Sequence, residues 1–138
     1  MSVQNLTDMS LDEIYQLAHK VMCAAGCDEA NAAAIADTVM RAERDGSTSH
    51  GLFRIPGYVG SIRSGKVTAN ASPKIEQKLA SVLKIDGQMG YAPLALQTGL
   101  PLLAEAAHKT GIAVMSIVNS FHFAAYGLKQ NILPNRGW

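Results

Sequence analysis

The 138-residue sequence lacks charge imbalance, long apolar runs and any glycine-rich dinucleotide fingerprint. The formal net charge is +1 and the lysines and arginines are scattered, so no surface for a nucleic-acid backbone is predicted. The longest apolar stretches are too short to cross a bilayer, and the N-terminus carries acidic residues where a secretory signal would be apolar. These absences predict a cytoplasmic globular protein that binds neither nucleic acid nor membrane.

Cysteine is also scarce, with only Cys23 and Cys27. Their spacing predicts that they share one helix face with His19, which would bring together three soft metal ligands. A closed zinc site needs a fourth ligand that this stretch does not offer, and free cysteines commonly pack as small apolar residues. No metal site is therefore predicted. A chain of this length can bury a core without disulfides or metal.

Helical patterns dominate the first half of the sequence. Ser10 begins a capping box, and the apolar period after it ends at Gly26. Asp28 is placed to cap a second, alanine-rich helix. The pattern over residues 49–63 again suits a helix, with a break or kink expected at Pro56 because proline lacks an amide donor.

The second half predicts an incomplete sheet with a packed helix. Two short strands are expected at residues 74–79 and 81–86, followed by a glycine-rich turn over residues 85–93. A long apolar helix is predicted for residues 92–110, and a buried β-branched strand for residues 112–118. The expected class is therefore α/β, with N-terminal helices preceding the sheet.

A change in composition near residues 65–72 suggests how the chain is divided. We expect an N-terminal helical segment over residues 1–66 and an α/β segment over residues 67–125. The last residues, 126–138, fit neither pattern.

The stretch "DGSTSHGLFRIPGY" contains the first candidate site. On one helix, His50 and Arg54 would lie on the same face. A guanidinium can hold a carboxylate by two parallel hydrogen bonds, and an imidazole can donate a proton near neutral pH. Ser49 could orient the imidazole or cap the helix, and the sequence leaves both roles open. The same spacing is also typical of a solvated helix face.

A second candidate site is "NSFHFAA", residues 119–125, directly after the last predicted strand. Polar residues at the carboxyl end of a buried strand lie where α/β proteins often bind ligands, which makes His122 the candidate here. Alternatively, Asn119 and Ser120 cap a following helix and His122 lies in its first turn.

Three motifs together resemble the malate/L-lactate dehydrogenase family of the non-Rossmann type. They are, in family order, "DGSTSHGLFRIPGY" (45–58), "IDGQMGYAP" (85–93) and "GIAVMSIVNSFHFAA" (111–125). Within that family, "NSFHFAA" is most similar to the Δ1-piperideine-2-carboxylate/Δ1-pyrroline-2-carboxylate reductases. The missing G-x-G-x-x-G is no objection, because this family does not use that fingerprint. The resemblance implies the family's α/β fold, of which this chain would be a fragment.

The resemblance also implies roles for individual residues. His50 would be the proton donor, Ser49 its relay partner and Arg54 the clamp for the substrate carboxylate. The surface that binds NADPH or NADH would include His122, Phe123, Ala124 and Ala125. The implied substrate is a small 2-imino or 2-oxo acid, the reaction is hydride transfer from the nicotinamide, and the family's members are typically homo-oligomers, commonly dimers.

Family members are much longer, so we expect this chain to be their N-terminal third. The resemblance stops abruptly at Ala125, and "YGLKQNILPNRGW", residues 126–138, fits no expected pattern. One hypothesis is a shifted reading frame, and the alternative is a divergent tail. The expected function is reduction of a cyclic 2-imino acid, with the isolated chain inactive. The alternatives are a malate, lactate or ureidoglycolate dehydrogenase, and a non-catalytic, self-associating remnant.

Overall fold

The computed structural model describes residues 7–121, which form helices on and beside a three-stranded sheet. The elements in chain order are α1 (Leu11–Ala24), α2 (Glu29–Arg44), a 3-10 turn at Thr48–His50 (the His50 turn), a 3-10 turn at Leu52–Arg54 (the Arg54 turn), α3 (Ile55–Arg63), β1 (Lys74–Leu79), β2 (Val82–Tyr91), α4 (Ala92–Thr110) and β3 (Val114–Phe121). The predicted α/β class is confirmed. Within residues 7–121, no helix has both the length and the apolarity of a membrane span.

Helices α1 and α2 begin at their predicted caps. The Ser10 hydroxyl accepts the Glu13 N–H at 3.2 Å, and the Glu13 carboxylate accepts the Ser10 N–H at 2.7 Å. The Asp28 carboxylate accepts the backbone N–H of Asn31 at 2.9 Å. These bonds satisfy amide groups that have no partner inside a first helical turn, which is why short polar side chains specify both helix starts.

The main core lies between α1, α2 and α3. Alanines on the inner faces allow the helices to approach closely, and larger side chains fill the remaining space. The fully buried members are Ala18, Met22, Ala32, Ile35, Ala36, Val39 and Tyr91. Tyr91 reaches this core from the end of β2, so the core joins the helices to the sheet.

The segment between α3 and β1 is tied to both parts of the molecule. The buried Asn31 side chain donates to the Ala71 carbonyl at 2.9 Å, which holds the segment against the start of α2. On the sheet side, the Thr68 N–H donates to the Met89 carbonyl at 2.9 Å. Val67 and Ala71 are buried, so the change in composition near residues 65–72 coincides with a packed connection.

The break predicted at Pro56 lies elsewhere. Pro56 occupies the first turn of α3, where its missing N–H would have no helical partner in any case. The helical pattern is interrupted at Gly51 instead, between the His50 turn and the Arg54 turn. Pro56 therefore marks where α3 starts.

The sheet has the order β1-β2-β3. β1 pairs antiparallel with β2, and β3 pairs parallel with β2 after the chain crosses over through α4. Helix α4 has the predicted bounds and ends at Gly111, whose φ is +82°. Leu83 and Ile85 are buried, whereas Lys84 between them is exposed. This alternation is typical of a sheet covered on one face.

The turn predicted over residues 85–93 is wrong. β2 continues through this stretch to Tyr91, with a bulge that contains Gln88 (φ +53°) and Met89 (φ +58°). Its register with β3 shifts between Asp86 and Gly90. The glycines therefore accommodate extra residues within a strand, a local effect that resembles a turn in the sequence.

The last strand also differs from its prediction. β3 begins two residues later than expected and includes Asn119 and Ser120, so the alternative in which they cap a helix is wrong. Exposed and half-buried residues alternate along much of it. The buried strand predicted from the β-branched run is incorrect, because β3 lies at the edge of the described sheet.

Candidate active site

The first motif begins where α2 ends and forms two successive 3-10 turns. The His50 N–H donates to the Ser47 carbonyl at 2.8 Å, and the Arg54 N–H donates to the Gly51 carbonyl at 3.0 Å. The expectation that His50 and Arg54 share one helix face is wrong, because each ends its own turn. Gly51, with φ −87° and ψ −140°, is not helical, so the helical period does not continue across it.

Ser49 and His50 are in direct contact. The Ser49 hydroxyl oxygen lies 3.0 Å from His50 Nδ1. Ser49 lies inside the His50 turn, whose N-cap position belongs to Ser47, so Ser49 does not cap it. The imidazole is half-buried. This contact orients the ring and leaves Nε2 as the nitrogen that could face a ligand.

Arg54 is exposed and follows Phe53, whose relative exposure is 79%. Among residues 7–121, the Arg54 guanidinium forms no ion pair, whereas Arg41 and Arg44 are paired with Asp37 and Asp45. A guanidinium that no carboxylate of the described residues engages can bind the carboxylate of a ligand.

Sequence reasoning missed Glu43, which holds the connection between the two turns. Glu43 Oε1 accepts the Leu52 N–H at 2.8 Å. Glu43 and Leu52 also line an open cavity of about 320 Å³, with Thr7, Asp8, Met9, Leu11 and Ile14. The available signal was an acidic residue in the last turn of a helix, where the helix dipole disfavours negative charge.

The aromatic side chains of the three motifs meet at one junction. The Tyr91 hydroxyl donates to the Tyr58 carbonyl at 2.6 Å, and the two rings stand edge to face with centroids 5.0 Å apart. Phe121 contacts Tyr91 from β3, with a centroid distance of 6.4 Å. Burial raises the pKa of both tyrosines, so they stay neutral. The junction brings the end of β3 close to α3, the helix that follows Arg54.

The bulge in β2 also contacts β3. The Asp86 carboxylate accepts the Gln88 N–H at 2.9 Å and the Asn119 amide at 3.3 Å. The Gln88 N–H contributes most to lowering the pKa of Asp86, and the Asn119 amide lowers it further. Gly87 lies so close to β3 that an added Cβ would be 2.8 Å from the Ser120 Cβ. The glycine-rich motif therefore specifies close packing of two strand backbones.

The four residues expected to bind the cofactor, His122, Phe123, Ala124 and Ala125, lie outside the described residues. They directly follow Phe121, the last residue of β3.

The soft-ligand cluster considered around Cys23 has a different composition from the one the sequence suggested. Helix α1 ends at Ala24, so Cys27 lies beyond it and is buried, where desolvation raises the pKa of its thiol to about 11. Glu29, from the start of α2, takes its place, with both carboxylate oxygens 3.0–3.1 Å from His19 Nε2. Cys23 Sγ lies 3.9 Å from the same ring. These contacts are accounted for by an exposed His–Glu pair linking two helices.

Comparison with known proteins identifies similar chains. The sequence pattern of the malate/L-lactate dehydrogenase family matches residues 9–137. Over 117 residues, 85% of this chain, the sequence is 44% identical to a Δ1-pyrroline-2-carboxylate reductase of Ancylobacter novellus. The crystal structure of Δ1-piperideine-2-carboxylate reductase from Pseudomonas syringae superposes on 90% of the chain with a TM-score of 0.87 and 35% identity. Malate dehydrogenase from Entamoeba histolytica superposes on 89% of it, with a TM-score of 0.82 and 28% identity.

The chain spans about a third of the length of these relatives, 34% of the Ancylobacter protein and 37% of the Pseudomonas structure. The expectation that the family resemblance stops at Ala125 is wrong, because the family match extends to residue 137. The shifted reading frame stays a hypothesis. The nucleotide sequence tests it, since codons that cannot encode a family-like helix in the alternative frame would reject it.

Proposed function

Since the chain belongs to the malate/L-lactate dehydrogenase family, we propose that it is the acid-binding and proton-donating part of a reductase for cyclic 2-imino acids such as Δ1-pyrroline-2-carboxylate. One observation carries the proposal. A serine-bonded imidazole and a guanidinium that no carboxylate within residues 7–121 engages end two consecutive turns of one short loop. The names of the relatives support the choice of an imino acid.

The chemistry assigned to the loop follows from its groups. The Arg54 guanidinium binds the substrate carboxylate by two parallel hydrogen bonds and so orients the ring. His50 then gives a proton from Nε2 to the imine nitrogen while the adjacent carbon is reduced. Ser49, at Nδ1, keeps the ring in the required orientation.

The hydride must come from a reduced nicotinamide, NADH or NADPH, because neither an imidazole nor a guanidinium can provide one. We propose that His122, Phe123, Ala124 and Ala125 contribute to the surface that binds it. The aromatic junction supports this assignment, since Phe121 packs on Tyr91, which is bonded to Tyr58 of α3. The end of β3, directly before residue 122, is thereby held beside the helix that follows Arg54.

Ligand binding by the purified chain tests the proposal. Pyrrole-2-carboxylate is a suitable probe because it has the ring and the acid of the substrate and is not reduced. We expect calorimetry to show at least tenfold weaker binding in Arg54→Ala, with partial recovery in Arg54→Lys, which keeps the charge but not the planar fork. Equal binding by Arg54→Ala and the parent would reject the acid-binding role.

Turnover provides the second test. Purified chain is mixed with NADPH or NADH and Δ1-pyrroline-2-carboxylate, and cofactor absorbance is followed over time. Sustained oxidation that disappears in His50→Ala would show that the chain is itself catalytic and would reject the remnant alternative. Because the chain spans only a third of its relatives, we expect binding without sustained turnover.

A 2-oxo acid substrate is the second candidate, favoured by the similarity to a malate dehydrogenase. The same loop would bind its carboxylate, and His50 would protonate a carbonyl oxygen. Pyruvate and oxaloacetate in the binding assay separate the two. Tighter binding of these linear acids than of the cyclic probe would favour the second candidate.

We also propose that the chain self-associates through the edge of its sheet that β3 forms. Val114, at the start of β3, is 59% exposed, and an edge strand with apolar side chains is a template for pairing. Sedimentation should show association that rises with concentration and weakens in Val114→Lys. The matched control is Leu79→Lys, on the opposite edge strand β1. A monomer at all concentrations would count against this proposal.

A further inference from the structure

Glu43 lies at the end of a helix where a carboxylate is least favoured. It is the penultimate residue of α2, close to the negative end of the helix dipole, and it is half-buried. In the described part of the chain it has no ion-pair partner, since Arg41 and Arg44 are engaged by aspartates. The bond that holds its side chain is the 2.8 Å hydrogen bond from the Leu52 N–H. Its contact is therefore with the active-site loop.

The absence of a side chain at Gly51 leaves room for this carboxylate. A Cβ at position 51 would overlap Oε1 and Cδ of Glu43, and would lie 2.8 Å from its Cγ. At Gly57, in contrast, a Cβ would meet nothing within 4 Å. Glycine at position 51 leaves the space that the Glu43 carboxylate fills. A side chain at position 51 would displace the Glu43 carboxylate from its position beside the Leu52 N–H.

This contact lies at the joint between the two catalytic turns. The first turn ends on His50 and the second begins at Leu52, so the backbone of Gly51 alone connects them. Rotation there would change the angle between the imidazole and the guanidinium without altering either turn. A charge-assisted hydrogen bond from outside the loop restrains this rotation.

We propose that Glu43 is a positioning residue whose carboxylate holds the Gly51–Leu52 backbone in one conformation, so that His50 and Arg54 contact the same substrate acid. This inference rests on the proposed function, since it matters only if both groups bind the same ligand. It adds a residue from α2 to a site otherwise built from the following loop. Glu43 borders an open cavity, so a substitution at position 43 does not force a side chain into a tightly packed space.

Substitutions at position 43 test the proposal through binding of pyrrole-2-carboxylate to the full chain. Glu43→Ala removes the acceptor and should weaken binding at least fivefold. Glu43→Gln keeps an acceptor oxygen at the same reach and should bind within twofold of the parent. Glu105→Ala is the matched control, because this glutamate forms an exposed pair with Lys109 within α4 and its loss should leave binding unchanged.

A paired substitution separates positioning from stability. Gly51→Ala should lower the unfolding midpoint because the new methyl group collides with Glu43. Combining it with Glu43→Ala should restore that midpoint, since the collision partner is gone, but should leave binding weak. Recovery of both stability and binding in the double variant would overturn the proposal, because it would show that the carboxylate has only a packing role.

Backbone NMR of the ligand-free chain distinguishes failure of this proposal from failure of the proposed function. In the parent, the Leu52 amide should be protected from exchange. In Glu43→Ala, the amides of the two turns should become mobile relative to each other, and Glu43→Gln should prevent this. An unchanged loop in Glu43→Ala overturns the positioning role. A loop that responds as expected in a chain that binds no carboxylate overturns the proposed function alone.

Discussion

The helices of this molecule bury their apolar faces against one another and against the end of β2, whereas the outer strands β1 and β3 remain largely or partly exposed. In α2, Ile35 is 1% exposed and Val39 fully buried, with α1 packed against them. In the sheet, β1 is exposed along nearly its whole length, and β3 alternates between exposed and half-buried residues. Two amphipathic helices can bury their apolar faces against each other, but a strand at the edge needs another element beside it.

This difference determines what each region contributes. The helices and the core behind them support the His50 and Arg54 turns, while the described edge of the sheet exposes apolar surface. Folding stability should therefore depend on the helical core, and association on the sheet. Substitutions matched by residue type can test this division, because they change the same atoms in two environments.

The largest effect is expected for Ile35→Ala. Removing a fully buried isoleucine side chain leaves a cavity and should lower the free energy of unfolding by about 2–5 kcal/mol. Its control is Ile112→Ala, between α4 and β3, where the side chain is 74% exposed and the loss should be about 0.5 kcal/mol or less. Denaturant titration followed by circular dichroism measures both. Similar losses at the two sites would break the comparison.

A glycine pair is expected to give opposite signs. Gly90→Ala would place a methyl group against the Cβ of Ala71, where β2 meets the segment between α3 and β1. This should lower the free energy of unfolding by about 1–3 kcal/mol. Gly60→Ala, inside α3 with open space around it, should raise the free energy of unfolding by about 0.5–1 kcal/mol, because alanine favours the helix. Thermal unfolding of the two variants gives the order. Stabilisation by Gly90→Ala would show that the bulge tolerates a side chain.

A smaller effect, in the pH dependence of stability, is expected from the cysteines. Desolvation raises the pKa of the Cys27 thiol from 9.0 to about 11, and the negative charge of Asp28 contributes further. Between these two values the unfolded chain releases the proton and the folded chain keeps it, so stability falls as pH rises from 9 to 11. Cys27→Ala should flatten this slope, and Cys23→Ala, at an exposed thiol, should not. Unfolding midpoints measured between pH 9 and 11 test this prediction. Equal slopes of stability against pH in the two variants would contradict it.

Much of the secondary structure was predictable because its signals are local. Ser10 and Asp28 satisfy amide groups within three residues of themselves, and Gly111 adopts the positive φ that ends α4. The candidate loop was also predictable, since Ser49 and His50 are neighbours in sequence and a serine can reach the adjacent ring. No distant residue has to be known for any of these features.

The remaining features depend on contacts between distant parts of the chain. The glycines of β2 specify a bulge only because β3 passes beside Gly87, and the β-branched run of β3 is left half-exposed because it lies at the edge of the sheet. The loop is likewise bonded at Leu52 by Glu43, which comes from α2 and occupies the space beside Gly51.

By itself, the amino-acid sequence determined where α1, α2 and α4 lie and which side chains are candidates for acid–base chemistry. Only the tertiary structure decided how those side chains are aimed, since an angle between two turns depends on the residues packed against their joint.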